Sequence, residues 1–290
     1  MTISEALDWA ANVFAENGVE GPKSSARLLL QQIFEKDLAF LFTFPDQSLT
    51  NIQEKRFCDW VGRRAKHEPV WYIADNQIKF YGQKFYVDQN VLIPRPETEL
   101  LIERILSDLG KRKSEKISIV DIGTGSGSII LSLGSSLRGV SDDAAISFSA
   151  SDISAKALGV AKKNAKAFGL NNAVDFERGN LFEPWEGQSF DLIITNLPYI
   201  PHEDLPFLDK DVIQYEPLAA LDGGKEGLEV YQEFFNTIGS HLNTGAHIYC
   251  EIGHNQGTKI MEMAVKKLPK SRISLIKDYA NKDRIVIIET

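Results

Sequence analysis

The chain has 290 residues, 43% of them hydrophobic and 25% charged, an ordinary globular composition with length enough for one large and one small domain. Its formal net charge of −8 is opposite to what broad binding along a phosphate backbone favours, which counts against a long nucleic-acid ligand. Two distant cysteines, Cys58 and Cys250, exclude a disulfide framework, and the five histidines show no H-E-x-x-H or paired-cysteine spacing, so no metal site is expected.

At the start, Met1-Thr2-Ile3-Ser4-Glu5 lacks the basic segment and continuous apolar core of a signal peptide, and no apolar run of about eighteen residues occurs anywhere. A cytoplasmic protein with no membrane partner is expected. Residues 1–75 read as a small helical bundle. Thr2-x-x-Glu5 forms a capping box before Ile3, Leu7, Ala10 and Phe14 at helical spacing, and Gly18 with Gly21-Pro22 ends that helix. A second helix is predicted from about Ser24 to Lys36, and a third from Thr50-x-x-Gln53 through Phe57, Trp60 and Val61. Phe40, Phe42 and Phe44 are placed between helices. Residues 76–95 include Ile78 to Val87, whose alternation on both sides of Gly82-Gln83 predicts a β-hairpin linking the two domains.

From about Glu97 onward, helical and strand patterns alternate. Strands are predicted at 117–121, 146–151, 173–177, 190–195, 245–252, 272–277 and 284–289, and helices at 126–137, 154–168, 226–242 and 255–267, after one that ends at Leu109. That order is a doubly wound α/β sheet over residues 96–290. In such sheets ligands gather outside the carboxyl ends of the strands, where Asp121, Asp152, Asn180, Asn196 and Glu251 all fall. Each could be a cap or a turn residue, but five polar strand ends on one rim favour a shared cleft.

Asp121-Ile122-Gly123-Thr124-Gly125-Ser126-Gly127 follows an apolar strand and opens a helix, as the entry to a nucleotide-type site does. The dinucleotide spacing G-x-G-x-x-G fails at Ser128, so NAD is disfavoured. A G-x-G-x-G turn lets backbone approach a ligand without a pyrophosphate, and S-adenosylmethionine fits. Asp152 ends the next strand, where a carboxylate can accept both ribose hydroxyls or simply cap the helix beginning near Ser154. The segment Thr195-Asn196-Leu197-Pro198-Tyr199 ends a further apolar strand. An Asn beside a rigid Pro-aromatic step suits gripping a planar amide or amino group.

With these residues in place, the chain resembles the HemK/PrmC family, S-adenosylmethionine-dependent methyltransferases that modify a glutamine side chain of peptide chain release factors. The resemblance spans nearly the whole chain and includes Val91 to Glu99, Tyr215-Glu216-Pro217, Ala220 to Gly224, Gly227-Leu228, Glu251-Ile252-Gly253 and Asp283-Arg284. It implies a seven-stranded, Rossmann-like class I methyltransferase domain preceded by a helical domain, residues 1–75, that recruits the substrate. It further implies cofactor contacts at Gly123, Thr124, Gly125, Ser126, Gly127, Asp152, Asn180, Leu181 and Asn196, and a target glutamine held by Asn196, Leu197, Pro198 and Tyr199. The expected substrates are release factors, modified in their Gly-Gly-Gln loop, and the expected state is a monomer with no stable nucleic-acid partner.

One position departs from the family pattern. Leu197 stands where the family usually has a first proline, in Asn-Pro-Pro-Tyr. Leucine keeps the carbonyl that would accept a substrate N–H, but it adds an N–H of its own and loosens φ. Pro198 still pushes Leu197 toward an extended backbone. Arg95, Glu97 and Glu99 read as an exposed helix start, and Glu216 and Glu251 as caps or salt-bridge partners, with a cofactor or partner contact as the alternative. Two rival functions remain: an adenine-N6 methyltransferase, whose exocyclic amino group presents the same two N–H bonds, and a noncatalytic scaffold.

Overall fold

A computed structural model describes residues 1–110, 116–138 and 145–290. The helices are α1 (Ile3–Glu16), α2 (Pro22–Phe34), α3 (Leu38–Thr43), α4 (Asn51–Arg64), α5 (Val70–Ile73), α6 (Glu99–Leu109), α7 (Ser128–Leu137), α8 (Ala155–Ala167), α9 (Lys210–Tyr215), α10 (Glu229–Thr237) and α11 (Gly257–Lys267). The strands are β1 (Gln77–Phe80), β2 (Gln83–Tyr86), β3 (Lys116–Ile122), β4 (Ala145–Asp152), β5 (Val174–Arg178), β6 (Phe190–Thr195), β7 (Leu242–Glu251), β8 (Arg272–Lys277) and β9 (Asp283–Glu289). They form two compact units: Met1–Gln77 with Phe207–Glu216, and Ile78–Pro206 with Pro217–Thr290.

In the helical unit, the two capping boxes form as their spacing predicts. Thr2 accepts from the Glu5 N–H at 3.2 Å while Glu5 accepts from the Thr2 N–H at 2.8 Å, and Thr50 pairs with Gln53 in the same way at the start of α4. Helix α2 begins at Pro22, earlier than Ser24, because proline suits the first helical position, where its missing N–H costs nothing. The phenylalanines placed between helices lie on or beside α3, which Asp37 caps by accepting the Phe40 N–H at 3.0 Å. Ile3, Ala6, Ala10 and Phe14 of α1 join Leu29, Leu30, Phe57, Trp60 and Val61 in one core. Helix α9 belongs to this unit, although the sequence reading assigned its residues to the span 96–290. Asp211 meets the buried Arg64 guanidinium at 3.0 Å, and the Tyr215 hydroxyl donates to the Lys66 carbonyl at 3.0 Å.

In the second unit, β1 and β2 pair as a two-stranded sheet. Tyr81 and Gly82 make their turn, both at positive φ, one residue earlier than the predicted Gly82-Gln83. The main sheet has seven strands in the order β5-β4-β3-β6-β7-β9-β8, all parallel except β9, which runs antiparallel to both neighbours. The central strands are nearly continuous apolar runs because a parallel sheet is covered on both faces. Tyr231, Phe234 and Phe235 of α10 and Ile260 and Ala264 of α11 pack with Ile193, Ile248, Val286 and Ile288 of the sheet. Because β3 connects to β4 on one side while β6 lies on its other side, the chain reverses direction across the sheet between β3 and β6. A crevice opens at the carboxyl ends of such a pair.

Candidate active site

The crevice is a cavity of about 320 Å³, within the size range of small-molecule sites. The turn after β3 forms one wall. Gly123, Gly125 and Gly127 take φ of 77°, 57° and 78°, which leaves backbone where side chains would otherwise stand. Nothing lies within 4 Å of where a Cβ on Gly125 would project, so that face is open, whereas a Cβ on Gly127 would come within 2.9 Å of Leu131. Gly123, Thr124, Gly125 and Ser126 line the cavity, and Gly127 instead serves the close start of α7.

Two strand-end carboxylates hold this turn. Asp121 lies fully buried beneath it and accepts from the Thr124 hydroxyl at 2.7 Å, with its Oδ1 unpartnered. Burial pushes its carboxyl up to about 7 against the pull of that hydrogen bond. Asp152 accepts from the Gly125 N–H and the Ser154 N–H, each at 2.8 Å, and burial raises its carboxyl as well. Ser154, not Asp152, caps α8 by accepting the Ala157 N–H at 3.2 Å; two of the roughly four lone-pair sites of the Asp152 carboxylate are used, and Asp152 lines the cavity. The Asn164 amide, unremarked in the sequence, spans the Ser126 carbonyl at 2.9 Å and both backbone groups of Tyr86.

Asn180 and Leu181 line the cavity on the β5 side. The Asn180 amide donates to Glu233 of α10 at 2.6 Å, and Leu181 adopts φ of 47°, uncommon for a branched residue and enriched at functional sites. The opposite wall is Asn196-Leu197-Pro198, at the end of β6. The Asn196 amide nitrogen points at the Thr98 hydroxyl, 3.5 Å away, and Thr98 and Asn196 both favour the charged form of the fully buried Glu251 carboxyl. Burial pushes Glu251 up to about 7 in spite of them, and its Oε2 is unpartnered. The sequence put Asp121 and Glu251 on the rim; they lie under the floor, because β3 and β7 are covered there on both faces.

Leu197 is buried, so its extra N–H faces the core. That N–H lies toward the Tyr231 hydroxyl oxygen and favours its ionised form, and the Tyr231 hydroxyl donates to the Glu251 carbonyl. Tyr199 is not among the cavity-lining residues. Its ring packs toward Gly253, its hydroxyl is pushed up to about 12 by burial, and its carbonyl accepts from Gln256 at 2.8 Å. Thr98, Tyr231 and Gln256 were missed by the sequence reading; only the spacing of Thr98 within the Val91 to Glu99 segment could have flagged one of them.

The polar lining fits S-adenosylmethionine better than a dinucleotide. Asp152, Asp222 and Glu233 are acidic and Arg95 is the cation in the lining, a set suited to ribose hydroxyls and an ammonium group and poor for a pyrophosphate. Ile129, Ile153, Leu181 and Val230 supply apolar walls.

Comparison with known proteins places the chain in a family. The PrmC N-terminal domain matches residues 5–74, and a methyltransferase domain matches residues 113–273. A release factor glutamine methyltransferase of Bacillus cereus is 34% identical over 292 residues, covering 100% of this chain and 99% of its own. The chain belongs to the release factor glutamine methyltransferase family. A member from Geobacter sulfurreducens is 37% identical, with 90% of this chain and 88% of its own length covered. Among solved structures, the hMettl16 catalytic domain in complex with the MAT2A 3'UTR hairpin 6 superposes with a TM-score of 0.55 at 15% identity, covering 82% of each chain, which places the methyltransferase fold. Among the described residues no helix is long and apolar enough to cross a membrane.

Proposed function

We propose that this protein methylates the side-chain amide nitrogen (N5) of the glutamine in the Gly-Gly-Gln loop of class-one peptide chain release factors, using S-adenosylmethionine. The observation that carries this reading is the orientation of Asn196. Its NH₂ is turned toward the Thr98 hydroxyl, so its carbonyl Oδ1 is the end left for a substrate N–H.

An amide nitrogen is a weak nucleophile because its lone pair is delocalised into the carbonyl. When bound, S-adenosylmethionine supplies an electrophilic methyl on a cationic sulfur. Gly123, Thr124, Gly125 and Ser126 would face its amino-acid portion, Asp152 its ribose, and Asn180 and Leu181 its base. Asn196 Oδ1 and the Leu197 carbonyl accept the two N–H bonds of the glutamine amide and aim its nitrogen into the crevice. As the methyl leaves sulfur and joins nitrogen, those N–H groups grow more acidic, so both hydrogen bonds strengthen in the transition state, and one of the two protons is then released to solvent, because neither accepting carbonyl is basic enough to keep it. Pro198 fixes the intervening φ, and Tyr199 closes the edge of the segment against water.

Residues 1–75 recruit the substrate, 76–95 link, and 96–290 carry the transfer, with the protein acting as a cytoplasmic monomer. Phe42 and Ile52, 59% and 81% exposed on the helical unit, support a protein-binding role there. The test is tandem mass spectrometry of unmodified release factor incubated with the protein and S-adenosylmethionine. One added CH₂ on the Gly-Gly-Gln glutamine is expected. Asn196→Ala should lower turnover by about 100- to 1,000-fold, the cost of losing one preorganised partner. Transfer to duplex DNA or RNA in place of release factor would overturn the assignment.

A further inference from the structure

Gln256 precedes α11, is buried, and does not line the cavity. Its side chain nonetheless joins three separate backbone segments. Oε1 accepts the Gly253 N–H at 3.0 Å, and Nε2 donates to the Tyr199 carbonyl at 2.8 Å and to the Gly227 carbonyl at 3.0 Å. Both amide hydrogens and the oxygen are engaged, so the group can neither rotate nor flip without losing a bond.

The backbones it joins are stacked too closely for side chains. A Cβ on Gly227 would lie 2.4 Å from the Tyr199 carbonyl oxygen, and one on Gly223 would lie 2.8 Å from the Pro198 carbonyl oxygen. Upstream, Thr195 is fixed by pairing with Cys250 in the sheet and by its hydroxyl donating to the Ile122 carbonyl at 2.8 Å. Thus Asn196-Leu197-Pro198-Tyr199 is pinned by the sheet at one end and by Gln256 at the other, with the stiff Pro198 between.

We propose that Gln256 is a positioning residue for methyl transfer: by holding the Tyr199 carbonyl, it sets the direction of the Leu197 carbonyl and the Asn196 side chain. This rests on the proposed function for its kinetic readout. Near-attack geometry is sensitive, and misplacement of about 1 Å can cost on the order of 100-fold.

The decisive comparison uses Gln256→Met, which keeps the length of the side chain but neither donates nor accepts as an amide does, and Gln256→Glu, which keeps an acceptor for Gly253 and loses the Nε2 donors. Both should lower kcat by about 10- to 100-fold, with S-adenosylmethionine affinity and release-factor KM unchanged. Both should also speed amide hydrogen exchange at Leu197, Tyr199 and Ile200. Normal kcat in either variant overturns the proposal, and Gln256→Glu alone being active would assign the role to the Gly253 bond. A parallel fall in kcat, cofactor affinity and melting temperature would also overturn it, since general packing would then explain the loss. If the wild type modifies no release factor, the proposed function fails, and exchange still decides the clamp: faster exchange in the variants supports it, and unchanged exchange rejects it. Should Gln256→Met not fold, Gln256→Glu carries both readouts.

Discussion

The two walls of the cavity reach rigidity by different routes. The turn from Asp121 to Gly127 stores much of its shape locally: three glycines at positive φ make it, and carboxylates at the ends of two adjacent strands hold it. The segment Asn196 to Tyr199 has no residue at positive φ. It is shaped from outside, by Thr98 nearly a hundred residues upstream and by Tyr231 and Gln256 well downstream. A wall that carries its own geometry is readable as a motif, whereas a wall held by distant neighbours shows only its reactive residues. The walls share one device, a fully buried strand-end acid with an unpartnered oxygen, Asp121 on one side and Glu251 on the other.

The comparison breaks most visibly at Asp152. Removing it in Asp152→Ala takes away its hydrogen bond to the Gly125 N–H and the ribose contact proposed for it, so calorimetry should show S-adenosylmethionine affinity lower by about 10- to 100-fold. Turnover at saturating cofactor should stay close to wild type, because the Asn196 wall is held independently. A fall in saturated turnover as large as the fall in affinity would mean that the walls are one unit.

A smaller effect sharpens the other side. Tyr231→Phe removes the hydroxyl that donates to the Glu251 carbonyl and lies toward the Leu197 N–H, which should cost about 1–3 kcal/mol in denaturant melts. In a Leu197→Pro background the N–H is already gone, so the same change should cost roughly 1 kcal/mol less. Equal costs in the two backgrounds would show that Tyr231 does not serve Leu197.

The smallest effect is in pH dependence. Asp121 and Glu251 have folded-state values raised to about 7, above the usual carboxylate range, so the folded state binds more protons between about pH 4 and 7. Their contribution to stability is complete below that range and is lost as pH rises through about 7. Melting temperature should therefore fall from pH 5 to pH 8, and Asp121→Asn should flatten the slope. An unchanged slope in that variant would assign the dependence to other groups.

Much of this was legible because it rests on short-range rules. Capping boxes at Thr2 and Thr50, the period of the seven strands, the glycine turn and the Asn196 segment all follow from residues within a few positions of each other. The illegible parts depend on what lies across space. Helix α3 is short and capped by a single Asp, and α9 joins the helical unit through the pairing of half-buried Asp211 with buried Arg64, which no periodicity announces. That the Leu197 N–H lies toward the Tyr231 hydroxyl is likewise invisible in the local motif.

The sequence by itself determined the order of strands and helices, the glycine turn and the place of Asp152 and Asn196 at strand ends, because backbone conformation and side-chain inventory are local properties. Only the tertiary structure decided which polar strand ends face the cavity and which lie beneath it. It also decided which end of the Asn196 amide is free and which residues fix Leu197 and Tyr199. Those outcomes depend on hydrogen-bond partners that the chain brings together from positions far apart, and a buried polar group takes whichever partner the fold supplies.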